Sequence, residues 1–102
     1  MPTHKQTKEQ LEKIADRMLV LIEQSPNPFA AMQMVARKLE ADGLGDVTPT
    51  SRISPMQFVE AVIVDNPAMY DRVRELRVTI RAERAESAEE LIDLLLLPVE
   101  SA

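Results

Sequence analysis

Arg74, Arg77, Arg81 and Arg84 follow one another at intervals of three, four and three residues. At about 100° per residue, this spacing gathers four guanidinium groups on one face of a helix. A guanidinium is permanently charged and presents a planar fork of donors, so a row of them suits phosphate or carboxylate oxygens. Asp71, Glu75, Glu83 and Glu86 fall on the other side, and Met69, Val73, Leu76 and Ile80 border the arginines. Two readings stay open. The row meets phosphates or an acidic partner, or it is a solvated face whose arginines pair with nearby carboxylates for little energy.

Material for catalysis is scarce. His4 is the only histidine and sits near the start of the chain, where mobility is expected. With no cysteine, thiol chemistry, disulfides and zinc–thiolate sites are excluded. The carboxylate pairs Glu89–Glu90 and Asp65 with Asp71 read as solvated helix faces. Gly43 and Gly45 are the only glycines, so there is no glycine-rich loop to cradle phosphate. The expectation is a protein that is not an enzyme, with no catalytic residue, no metal and no cofactor.

The elements that must position these groups are helices. Asn27-Pro28, Ser54-Pro55 and Asn66-Pro67 repeat one punctuation, a capping side chain followed by proline. The capping oxygen accepts from a free amide of the first turn, and proline brings a helical φ without an amide to satisfy. The chain has 102 residues, enough for one domain, and is 45% hydrophobic and 28% charged, as expected for a globular protein. Phe29, Phe58 and Tyr70 are the only aromatics, so the core must come from Leu, Ile, Val, Met and Ala. Methionines such as Met18, Met32, Met34, Met56 and Met69 read as fillers of that core, with an adaptable binding groove as the alternative.

Residues 1–6 are expected to fray. A first helix is predicted from about Lys8 to Gln24, with Thr7 as cap and Gln10 in its capping box; Leu11, Ile14, Met18, Leu21 and Ile22 form its stripe. A second is predicted from Pro28 to about Ala41, burying Phe29, Met32, Val35, Ala36 and Leu39, with Gly43 as C-cap. Residues 43–53 form a long loop. A third, short and almost wholly apolar helix spans Pro55 to Val64, and its β-branched run is also compatible with a strand. The fourth begins at Pro67 and either runs on, bent or interrupted, to Leu97 or breaks at Ser87, where Glu90 completes a capping box. The fold class is therefore all-α, four to five helices, helix-turn-helix-like. The long last helix serves self-association, because Leu94 to Leu97 cover every side of a helix and one core cannot bury them all. Leu91, Leu94, Leu95 and Leu97 are the candidate assembly residues.

That leucine run is far short of the ~20 apolar residues of a membrane span. No membrane partner and a cytoplasmic location are expected. The formal net charge of −5 lies wholly in residues 53–102, with five Arg against ten Asp and Glu; residues 1–52 balance at seven of each sign. Any basic surface must therefore come from local segregation.

The run Asn66-Pro67-Ala68-Met69-Tyr70-Asp71-Arg72-Val73-Arg74-Glu75-Leu76, followed by Ser87-Ala88-Glu89-Glu90-Leu91-Ile92-Asp93-Leu94, resembles the N-terminal part of bacteriophage small terminase subunits over about residues 7 to 95. The resemblance implies a non-enzymatic, ring-forming protein of the host cytoplasm that binds double-stranded DNA and engages a packaging motor. It places a recognition helix at Ser54 to Val64 and puts Arg72, Arg74, Arg77 and Arg81 on the helix that follows. Between Ile53 and Asp71 there is no Lys or Arg, which leaves Ser54 and Gln57 to meet base edges. Backbone contacts then fall to the arginine row and to Lys5, Lys8, Lys13 and Arg17. The alternative is a small acidic module, an inhibitor or adaptor that binds a phage or host protein and not DNA.

Overall fold

The computed structural model describes residues 4–76 and 80–97, and these are helical with no strand among them. Five α-helices are present: α1 His4–Gln24, α2 Pro28–Ala41, α3 Pro55–Val59, α4 Pro67–Glu75 and α5 Ala88–Leu95. A π turn, Glu60–Val64, prolongs α3, and a short 3-10 turn, Ala82–Arg84, precedes α5. No helix among the described residues is long and apolar enough to cross a membrane.

α1 is the axis of the fold and packs against every other element. Leu11, Ile14, Ala15, Met18, Leu21 and Ile22 are all buried, as their three- and four-residue steps require. The helix starts earlier than expected, at His4, so residues 4–6 are helical and Thr7 is a buried interior residue rather than its cap. Residues 1–3 lie outside the described residues. Gln10, expected to close a capping box, donates instead from Nε2 to the carbonyl of Ile80 at 3.1 Å.

The proline-marked starts fold as local chemistry dictates. Asn27 Oδ1 accepts from the Ala30 amide, and α2 follows with Pro28 in its first turn. Met32, Val35, Ala36 and Leu39 are buried, but Phe29, expected on the buried side, keeps 36% of its surface. The helix closes with Asp42 as C-cap and Gly43 just beyond it at φ +72°. The amides of Gly43 and Leu44 reach back to the carbonyls of Glu40 and Leu39, the paired closure that needs a left-handed residue at this point.

The connection that follows is folded onto the body. Pro49 is buried, Leu44, Val47 and Ile53 pack against the core, and Asn66 Nδ2 donates to the carbonyl of Leu44 at 2.6 Å. Ser54 and Gln57 then form a reciprocal capping box, both bonds at 3.1 Å. Phe58, Val59, Val62 and Ile63 are buried, and the helical alternative for this β-branched run is the one adopted. Asn66 ends the segment and starts α4, accepting from the Ala68 amide while also donating to Val62 O at 2.9 Å.

The largest departure from expectation follows Glu75. α4 stops there, and Leu76 is extended at φ −69°, ψ 127°. A single long C-terminal helix is not formed. The chain instead returns along α1, where Ala82 and Ala85 are buried and the carbonyls of Ile80 and Ala85 take hydrogen bonds from Gln10 and Arg17. Ser87 then caps a new helix, its Oγ accepting from the Glu90 amide, while the Glu90 carboxylate accepts from the Glu86 amide. α5 lies against α1 and α2 with Ala88, Leu91, Ile92 and Leu95 buried.

Candidate functional site

The break after Glu75 dissolves the arginine row. Arg74 is on α4, at 3.6 Å from Asp71 one turn before it. Arg77 lies outside the described residues. Arg81 and Arg84 are exposed and belong to the segment around the 3-10 turn, so they share no helix face with Arg74. The expected border of Met69, Val73, Leu76 and Ile80 divides in the same way, with Met69 and Val73 buried in α4 and Ile80 beyond it.

The remaining candidates for DNA contact are mostly engaged within the fold. Arg17 Nη2 donates to the Ala85 carbonyl at 2.6 Å, and Arg72 Nε donates to the Leu95 carbonyl at 2.9 Å. Each guanidinium is half-buried, and each leaves one buried nitrogen without a hydrogen bond, Arg17 Nε and Arg72 Nη2. Both therefore give up hydration to hold the C-terminal segment against α1 and α4. The polar atoms of Ser54 and Gln57 close the capping box of α3. Lys8 and Lys13 keep open positions on α1, beside the acids Glu9 and Glu12.

The leucines proposed for assembly are redistributed too. Leu91 and Leu95 have no exposed surface, and Leu94 and Leu96 pack partly against the core. Leu97 stays open, at 55%. Three of the four consecutive leucines, Leu94 to Leu96, find full or partial cover within one chain because α5 packs against α1 and α2.

What the fold builds instead is a cleft that no local pattern announced. The end of α1, the turn at residues 25–27, the outer side of α2 and the start of α5 enclose about 490 Å³. Leu21, Ala30, Ala31 and Met34 form its apolar floor, with Ala88 on the α5 side. Met34 is 43% exposed, a flexible thioether held open at the surface. Gln24, Asn27, Glu86 and Glu89 stand at the polar rim, and among the described residues that line the cleft two are acidic and none is basic. Small residues at 30 and 31 beside Met34 were the available sequence signal. Met34 itself was among the methionines expected to fill the core, with an adaptable binding groove as the alternative, and it is exposed.

One ion cluster fixes that wall. Lys38 Nζ of α2 pairs with Asp93 Oδ1 and, at 3.3 Å, with Glu89 Oε1, both on α5. The hydrogen bond to Asp93, helped by Glu89 and opposed by partial desolvation, raises the Lys38 pKa above the ordinary lysine value. The single lysine near the cleft is thus committed to neutralising one rim acid, leaving Glu86 as the open charge. The amide-rich start of α5 is likewise occupied, by Ser87 Oγ on the Glu90 amide and by the Glu90 carboxylate on the Glu86 amide. This favours cations over anions in the cleft.

Comparison with protein-family models, characterised proteins and solved structures finds no match to this chain.

Proposed function

We propose that the protein is a small acidic interaction module that binds another protein through the α1–α2–α5 cleft and performs no catalysis. The observation that carries this reading is the cleft itself, with an apolar floor that includes an exposed methionine and a rim that bears acids and, among the described residues, no base. Methionine surfaces adapt to varied apolar partners, and a polar rim around an apolar floor is the usual anatomy of a recognition patch. The commitment of Arg17, Arg72, Ser54 and Gln57 to internal contacts lends further support, since it removes four of the residues that would have met DNA. A photo-crosslinking residue at position 34, introduced into the full chain in its native cells, tests the reading. A discrete adduct that resists nuclease and yields to protease is expected. An adduct that yields to nuclease, or none, overturns it.

A second reading, a phage-type DNA-packaging adaptor that resembles small terminase subunits and binds the DNA backbone as an oligomer, draws on one observation. Exposed Arg81 and Arg84 flank a segment that runs beside α1, the helix that carries Lys8 and Lys13. That reading requires binding to long duplex DNA that weakens steeply with salt. Absence of binding at low salt removes it.

A further inference from the structure

Resting on the interaction reading, the geometry points to a specific class of partner: a basic amphipathic helix whose apolar side chains enter the α1–α2–α5 cleft between Met34 and Ala88.

Three features argue for this occupant. The floor is built on helix spacing, since Ala30 and Met34 stand four positions apart on α2 with Ala31 between their rows. An amphipathic helix laid into a groove engages such positions through its own i, i+3, i+4 anchors, and small residues at 30 and 31 let its side chains approach closely. The rim selects the sign of the flanking charges. Glu86 and Glu89 face the opening, no lysine or arginine among the described residues lines it, and the start of α5 already holds its own carboxylate. An acidic partner would meet like charge there, whereas lysines or arginines flanking the anchors would find Glu86 unpaired. The chain as a whole carries −5, so a cationic segment is also steered toward it from a distance.

The size of the cleft agrees. About 490 Å³ lies in the ordinary range of ligand clefts, ~300–1,000 Å³. With one side formed by an open helix surface, it suits the side chains of a passing helix better than an enclosed small molecule.

The test uses the full chain and a designed 15-residue Leu/Lys amphipathic helix, with a Leu/Glu helix of the same pattern as its counterpart. Binding is read by titration at low salt and by shifts of the Ala30, Ala31 and Met34 methyl resonances. The Leu/Lys helix is expected to bind and to shift those methyls, with the Leu/Glu helix at least tenfold weaker. Met34→Asp and Glu86→Lys should each weaken binding about tenfold and leave the thermal midpoint in place, because both side chains are exposed. Glu12→Lys, on an exposed part of α1 outside the cleft, should leave binding unchanged and so separates a located site from diffuse charge attraction. Equal binding of both helices, equal effects of Glu12→Lys and Glu86→Lys, or shifts confined to other methyls overturns the proposal. So does a titration in which position 34 crosslinks to a second copy of the chain. If the cellular adduct at position 34 is a protein but the Leu/Lys helix fails, the interaction reading stands and the partner class falls. If the adduct yields to nuclease, the interaction reading itself falls.

Discussion

Arg72 on α4 donates a hydrogen bond from Nε to the carbonyl of Leu95, the last residue of α5, at 2.9 Å. α5 has no basic residue in its own last turn, so this guanidinium supplies from another helix the positive charge that a helix C-terminus favours. The bond gains about 1.5–3 kcal/mol as one to a charged group, while a buried unpaired nitrogen costs about 1–3 kcal/mol. Arg72 Nη2 is such an atom, so the two effects largely offset. Arg72→Ala is accordingly expected to destabilise by only about 1 kcal/mol, lowering the midpoint by about 4–8 °C in a domain of this size. Thermal unfolding followed by circular dichroism checks it, and a loss above 3 kcal/mol would contradict the offset.

The Lys38 cluster makes a pH prediction with a definite sign. Its folded pKa is raised, chiefly by the hydrogen bond to Asp93. The stabilisation is therefore complete below the unfolded lysine value of about 10.4 and is lost as pH rises through the higher folded value. The stability difference between the wild type and Lys38→Met should be constant from neutral pH to about pH 9.5 and should shrink above about pH 10.4. Urea unfolding at a series of pH values measures it. A difference that grows with alkalinity would reverse the sign.

Leu95 and Leu97 should behave as opposites. Leu95 has no exposed surface, so Leu95→Ala removes core volume and is expected to cost about 2–5 kcal/mol. Leu97 is 55% exposed, and Leu97→Ser should change monomer stability by less than about 0.5 kcal/mol. Should the leucine run serve assembly as first expected, Leu97→Ser would instead lower the sedimentation coefficient, and Leu95→Ala would do so at unchanged stability.

Asn66 joins three parts of the chain, capping α4 through Ala68 while donating to Val62 O and Leu44 O. Asn66→Ala loses the cap, about 1 kcal/mol, and strands two partly buried carbonyls, for a total of about 2–3 kcal/mol. Asn66→Asp keeps the capping acceptor and loses both donors, so it should recover only the smaller share. Hydrogen exchange should quicken at α4 in the alanine variant alone.

The starts of α2, α3 and α4 were legible from sequence, and that of α5 was one of two alternatives, because capping is local; the start of α1 at His4, ahead of the expected Thr7 cap, was not. Asn27, Ser54, Asn66 and Ser87 each act on an amide two or three residues away, and all four side chains do so. The apolar stripes of α1 and α2 were legible for a similar reason, since periodicity alone states which face must be buried, with Phe29 the exception. The stop at Glu75 was not legible. It depends on Gln10 and Arg17 meeting carbonyls 70 and 68 positions away, contacts on which local propensity is silent. The candidate cleft, the dispersal of the arginines and the burial of Leu91 and Leu95 all follow from that return of the chain along α1. Sequence by itself therefore determined an all-helical fold and where α2, α3 and α4 begin, because those are short-range hydrogen-bonding facts. Only the tertiary structure decided which charges remain free and which apolar residues remain open, because that depends on which distant surfaces come together.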